Sequence, residues 1–216
     1  MVRVAVLGHR GMLGSVVARY FAEQGAEVCT TDLRYMGSDA VPEWAAQHDI
    51  VVNCVRSSDN DPVVNGFLPI HLAAFAQEEF GGRRPLVIQP STDAIDEDTA
   101  YARVKRMGER VEGCVIRAGI VDVGRQPVRA YTNWYSNPIT PLEWAEAAWR
   151  QPLGITEVGG HSIDRWTLAC LVARIWGRPV PEPVEAEASN LRLVKITTDR
   201  PMGMRLERFK RWLDEA

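Results

Sequence analysis

Val4-Ala5-Val6-Leu7-Gly8-His9-Arg10-Gly11-Met12-Leu13-Gly14-Ser15 is the stretch that decides how the rest of the chain is read. Residues 2–7 form an apolar run of the length of a buried strand. Leu13, Val17, Tyr20 and Phe21 then recur at helical spacing, and Gly25 stops the pattern after Gln24. Between strand and helix lie three glycines, three residues apart. Glycines there permit a tight turn and let backbone N–H groups at a helix N-terminus approach a pyrophosphate. The spacing alone also fits a glycine-rich turn without a ligand. Its place after an apolar strand and before an amphipathic helix favours a nucleotide loop. Gly8, His9, Arg10, Gly11, Met12, Leu13 and Gly14 are therefore candidate cofactor-binding residues.

Outward from this loop, strand and helix patterns alternate. Strands are expected over 27–31, 49–54, 85–89 and 114–120, and helices over 42–47, 68–77 and 99–111. Such alternation predicts an α/β fold, a Rossmann-like doubly wound parallel sheet with helices on both faces. Asp32 follows the second strand, 24 residues after Gly8. A carboxylate there can accept hydrogen bonds from ribose hydroxyls and favours NAD. Arg10 and Arg34, on either side of Leu33 and Asp32, can instead pair with the 2′-phosphate of NADP. The cofactor is thus NADP or NAD, with the choice open.

The last third is less regular. Pro127, Pro138, Pro141 and Pro152 interrupt it, with a helix around 142–149 and a short strand over 155–158. Ser162 is a plausible N-cap for a helix carrying Trp166, Ala169, Leu171, Val172 and Ile175, which Gly177 and Pro179 end. Residues 179–189 read as a surface segment rich in proline and glutamate. Leu206, Phe209 and Leu213 mark a C-terminal amphipathic helix. The expected organisation is an NAD(P)-binding domain over 1–123 and a small C-terminal substrate lobe over 124–216, parts of which return to the Rossmann core.

Tyr101-Ala102-Arg103-Val104-Lys105 sets a phenol and an ammonium four residues apart on one helical face. A neighbouring ammonium favours the phenolate and lowers the tyrosine pKa, so Tyr101 can act as a general acid or base. Upstream, a strand ends in Ser91-Thr92-Asp93, where open α/β sheets bind ligands. A hydroxyl there can hydrogen-bond a substrate carbonyl beside the phenol; the same three residues also suit a turn or helix cap.

Together these residues resemble the extended short-chain dehydrogenase/reductase superfamily, in the branch of the dTDP-4-dehydrorhamnose reductases and GDP-fucose synthases. The resemblance rests on residues 8–15, on Asp49-Ile50-Val51-Val52-Asn53-Cys54 with Asn65, on Ser91-Thr92-Asp93, Tyr101, Lys105 and Gly108-Glu109, and on Val115-Ile116-Arg117. Gly154-Ile155 through Trp166 and Arg200-Pro201 through Leu206 resemble the C-terminal landmarks. It implies that Thr92 orients a carbonyl, with Ser91 as fallback, that Tyr101 donates a proton, and that Lys105 lowers the tyrosine pKa and grips the cofactor ribose. It adds Asn53, Cys54 and Val55 to the cofactor-binding set. The implied activity is NAD(P)H-dependent reduction of a keto-sugar nucleotide in carbohydrate biosynthesis. Four features depart from the family. The chain is short. Tyr101 follows Thr92 by only nine positions, and the interval from Asp32 to Asp49 leaves little room for the usual third strand. Val55-Arg56 also stands where two small residues usually line the cofactor, so that Arg56 either crowds it or reaches a phosphate. Because Ala94 follows Asp93, the second carboxylate of the superfamily's dehydratases is missing. A non-catalytic NAD(P)-binding regulatory module and a sugar-nucleotide epimerase remain the alternatives.

Composition narrows the partners. Charged residues are 25% of the chain and the net charge is −3, so no global field draws it to nucleic acid or anionic lipid. No apolar window reaches the ~18 residues of a membrane span. Cys29, Cys54, Cys114 and Cys170 lack metal or redox spacing and read as buried thiols of a cytoplasmic protein. His48, His71 and His161 are too scattered for a metal site. Trp134, Trp144 and Trp149 suit a core or interface, or a sugar pocket. The expected partner is a sugar nucleotide as substrate, with neither nucleic acid nor membrane, and a homodimer is allowed.

Overall fold

The structure is a computed structural model and describes residues 1–31, 40–56, 60–78, 85–187 and 197–215. Asp32 and Arg34, two of the three proposed readers of the ribose, and Leu33, the cofactor-binding candidate between them, lie outside the described residues.

The first half alternates as the apolar pattern predicts: β1 (Arg3–Leu7), α1 (Met12–Glu23), β2 (Glu27–Thr30), α2 (Ala40–Ala46), β3 (Ile50–Asn53), α3 (Leu68–Glu78), β4 (Leu86–Ser91), α4 (Ala100–Gly108) and β5 (Gly113–Arg117). One turn of π-helix, Val63–Phe67, precedes α3; no local pattern in the sequence announces it. There follow β6 (Gly119–Ile120), β7 (Arg129–Tyr131), β8 (Tyr135–Ser136), β9 (Pro138–Ile139), α5 (Pro141–Trp149) and β10 (Gly154–Glu157). The chain ends with β11 (Ile163–Asp164), α6 (Arg165–Trp176), β12 (Glu182–Val184) and α7 (Met202–Asp214).

Among the described residues six strands make the central sheet, in the order β10-β5-β4-β3-β1-β2. The pairs β1·β2, β1·β3, β3·β4 and β4·β5 are parallel. Strands buried on both faces need unbroken apolar runs, and β1 and β3 have them: Val4, Ala5, Val6, Val51 and Val52 are fully buried. Among the described residues β2 is the edge strand beyond β1. On one face α2 packs on α3, and Val41, Ala45, Leu68 and Leu72 close over Leu7 and Val51. Elsewhere Trp149 meets Phe21 edge-on, with ring centroids 5.0 Å apart. This aromatic serves packing in the first unit.

Two compact units result: Met1–Arg117 with Ala145–Thr156, and Ala118–Trp144 with Glu157–Ala216. The single strand expected over 114–120 is two. After Arg117 the chain leaves the central sheet, and Gly119–Ile120 pairs in parallel with Pro138–Ile139 in the second unit. Likewise Ser162 does not cap α6. Ile163–Asp164 stays extended against Tyr135–Ser136, and Asp164 then accepts from the Thr167 N–H at 2.8 Å. The segment expected to be mere surface contains β12, parallel to β7. Trp144 is fully buried, and in the same unit Arg205 is 3% exposed, forked onto Glu143 at 2.6 and 2.7 Å while also donating to the Pro138 carbonyl. Among the described residues no helix is long and apolar enough to cross a membrane.

Candidate functional site

The glycine loop joins the C-terminal end of β1 to α1. Gly8 has φ +74°, and a Cβ there would lie 2.8 Å from the Cys54 carbonyl carbon and oxygen. A Cβ on Gly14 would run into the Gly8 carbonyl oxygen. Both positions therefore demand glycine on steric grounds. The Gly11 N–H is already donated to the Gly8 carbonyl at 2.9 Å, which closes the turn. Gly11 is the N-cap of α1; no side chain caps this end, and no carboxylate stands in the first turn. The amides at the start of the helix, from Met12 on, are therefore oriented toward an anion, together with the positive end of the helix dipole. The cradle fits a pyrophosphate, by Met12, Leu13 and Gly14 rather than by the Gly11 amide. His9 and Arg10 belong to the same turn.

At the end of β3, Asn53 is buried and its amide is committed. It donates to Gln89 Oε1 at 2.9 Å, and its oxygen accepts from the Val55 N–H at 3.3 Å. The side chain braces β3 to β4. Cys54 follows, its N–H donated to the Leu7 carbonyl at 3.0 Å. Burial pushes its thiol up to about 12, only partly countered by Lys105, so it is a neutral thiol beside the loop.

The second group gathers where β4 ends and α4 begins. Thr99 caps α4 by accepting from the Ala102 N–H at 3.1 Å, which sets Tyr101 in the first turn. Thr92 is 6% exposed and accepts from the Ala94 N–H at 3.1 Å. Its hydroxyl also donates to Asp93 Oδ1 at 3.4 Å, and it lies close enough to the Tyr101 phenol to favour its ionisation. The short connection is held by Arg106, which donates to the Ile95 carbonyl at 2.6 Å, and by Arg103 on Asp98 at 2.6 Å. Lys105 is 6% exposed, donates to the Pro90 carbonyl at 3.1 Å, and lies 6.0 Å from the Tyr101 ring centroid. Thr92, Tyr101 and Lys105 are thus brought together. Ser91 is not available as a substitute for Thr92: its hydroxyl donates to Glu109 at 2.6 Å, and Glu109 is in turn held by Arg117 at 2.8 and 2.7 Å.

Electrostatics corrects one expectation. The Tyr101 phenol sits above its ordinary value of 10, not below it. Burial is the largest cause and Asp93 adds to it. Arg56 and the nearby Thr92 hydroxyl act in the opposite direction. Lys105 is itself pulled down to about 8, by burial first and by Arg56 next, against Cys54 and Glu109. Tyr101 is accordingly a protonated phenol at neutral pH, ready to donate. The sequence reading missed Arg56 as a member of this group. Its guanidinium carbon stands 5.3 Å from the Tyr101 ring centroid. The signal was the arginine at a position where small residues were expected.

No family model matches the sequence, and no curated protein matches it. Solved structures match in fold. A dTDP-4-dehydrorhamnose reductase from Bacillus anthracis, in complex with NADP, gives a TM-score of 0.76 at 14% identity, covering 98% of this chain and 98% of that one. A dTDP-glucose 4,6-dehydratase from the same organism, in complex with NAD, gives 0.76 at 10% identity, over 100% and 97%. A UDP-N-acetylglucosamine 4-epimerase from Bacillus cereus gives 0.72 at 14% identity, over 99% and 100%. The likeness runs from end to end, and the chain has the Rossmann-like fold that its resemblance to the extended short-chain dehydrogenase/reductases implies.

Proposed function

We propose that this chain is an NAD(P)H-dependent reductase that acts on the keto group of a sugar nucleotide, in the manner of a dTDP-4-dehydrorhamnose reductase. The observation that carries the reading is the convergence of Thr92, Tyr101 and Lys105 at the C-terminal end of β4, with the buried threonine and lysine side chains on the half-buried Tyr101. A binding module needs the glycine cradle but not this second group. The solved reductase, dehydratase and epimerase of like fold, two of them holding NADP or NAD, support the cofactor class.

The start of α1 would hold the pyrophosphate, and Lys105 the nicotinamide ribose. When bound, the cofactor supplies a hydride for the carbonyl carbon. Thr92 orients the carbonyl oxygen, and Tyr101, protonated at neutral pH, gives that oxygen its proton. Positioning and one acid are what the reduction of a ketone requires. The second unit is the proposed substrate lobe. Incubation with NADPH or NADH and a panel of dTDP-, GDP- and UDP-4-keto sugars tests the proposal. Cofactor oxidation with formation of the 4-hydroxy sugar is expected. Tight cofactor binding with no turnover on any of them would favour the regulatory module instead.

A further inference from the structure

We infer that Arg56 is a positioning residue for Tyr101, its guanidinium held against the ring to stabilise the negative charge that grows on the phenol oxygen as the proton leaves. This rests on the reading of Tyr101 as the acid.

Arg56 follows β3 and is exposed, yet its guanidinium carbon lies 5.3 Å from the Tyr101 ring centroid. That is within the ~6 Å range in which an arginine over an aromatic face is attracted by it. Lys105, at 6.0 Å, stands at the limit of that range and spends a proton on the Pro90 carbonyl. Among the described residues the groups facing the phenol are Arg56 from the β3 side, Thr92 and Asp93 after β4, and Lys105 from α4. Among them burial and Asp93 disfavour the phenolate, whereas Arg56 is the leading influence in its favour and Thr92 the next. Arg56 also opposes the charge on Lys105, which Cys54 and Glu109 support. The attraction between a cation and a tyrosine ring strengthens when the ring gains negative charge. Arg56 therefore stabilises the state after proton donation more than the state before it, which is the condition for accelerating the step. The proton passes from the phenol oxygen to the substrate oxygen, and Arg56 gains and loses none.

The test is a phenolate absorbance titration of the full chain. Subtracting the curve of Tyr101→Phe from that of the parent isolates Tyr101. The same pair of curves is then taken with Arg56→Gln and with Arg56→Lys, and because Arg56 is exposed both variants keep the fold. The Tyr101 curve is expected to move to higher pH in Arg56→Gln, with Arg56→Lys between the two. Superimposable parent and Arg56→Gln curves overturn the inference, whatever the enzyme does. On a keto-sugar nucleotide, Arg56→Gln should lower kcat roughly two- to fivefold, the size of an exposed cation–π contact, with KM unchanged. A raised KM with unchanged kcat overturns it too, in favour of an arginine that binds a substrate phosphate. A parent that reduces none of the sugars removes the reductase reading, and the titration alone then decides the role of Arg56.

Discussion

In the proposed reaction Tyr101 and Lys105 carry the chemistry, and each makes a separable prediction. Removing the phenol takes away a proton needed only in the transition state. Tyr101→Phe should lose about 10²–10⁴-fold in kcat and keep near-parental NADPH affinity, as read by steady-state kinetics and calorimetry. Lys105 predicts a dependence of stability on pH. Its folded pKa of about 8 lies below its ordinary 10.5, so the unfolded chain binds that proton more tightly. Its charge therefore weakens the fold below pH 8, and the fold regains stability as pH rises from about 8 toward 10.5. In urea, Lys105→Met should gain stability over the parent at pH 7, and the gain should shrink at pH 9.5. A gain that ignores pH would mean that the lysine is not buried as described. The pair was legible in the sequence because four residues on a helix always share a face. The net upward displacement of the phenol was not legible, since burial and the approach of Arg56 arise only when β3, β4 and α4 come together. Ser91 shows the same limit: its neighbour in sequence is Thr92, but its partner is Glu109, 18 positions away.

Among the elements, the turn from β1 into α1 was the most readable, because its glycines answer local steric demands. It also discriminates between two substitutions. A Cβ on Gly14 meets the Gly8 carbonyl oxygen, so Gly14→Ala should lower Tm and cost roughly 1–3 kcal/mol, as forced overpacking does. A Cβ on Gly11 lies 3.3 Å from that oxygen, and Gly11 has φ −79°. Gly11→Val should therefore fold, while its branched side chain obstructs the start of α1. Its Tm should stay near the parental value and its NADPH binding should vanish in calorimetry. Equal loss of Tm in both variants would argue against a ligand cradle. Less readable were the elements whose cause is distant. β12 contains a proline and spans three residues, too short for a period, and exists because β7 pairs with it. The true cap of α6 is Asp164 because pairing with β8 keeps the chain extended past Ser162.

The whole molecule depends on contacts far apart in sequence. In the second unit, burial would raise the Glu143 carboxyl, but the forked Arg205 and the Thr140 hydroxyl and N–H outweigh it, and the group sits below its ordinary 4.5. The stability from this pair is present above pH 4.5 and is lost as pH falls through the lowered value. Arg205→Met leaves the half-buried Glu143 carboxylate with only its Thr140 hydrogen bonds and should lower stability measurably in urea at pH 7. The double change Arg205→Met with Glu143→Leu should recover most of that; no recovery would show that Arg205 acts through other contacts. In the first unit, the sheet is completed by β10, whose residues come after Arg117 has led the chain away and α5 has led it back. On the ribosome this imposes a schedule. A nascent chain that ends at residue 123 already holds β1 to β5 but presents β5 as a bare edge, rich in Cys114, Val115 and Ile116. Unpaired edges of that kind recruit other chains. Released fragments ending at 123 should aggregate, and fragments extended through 157 should pellet less in sedimentation, so the interval between those two points of synthesis is when this protein most needs a chaperone.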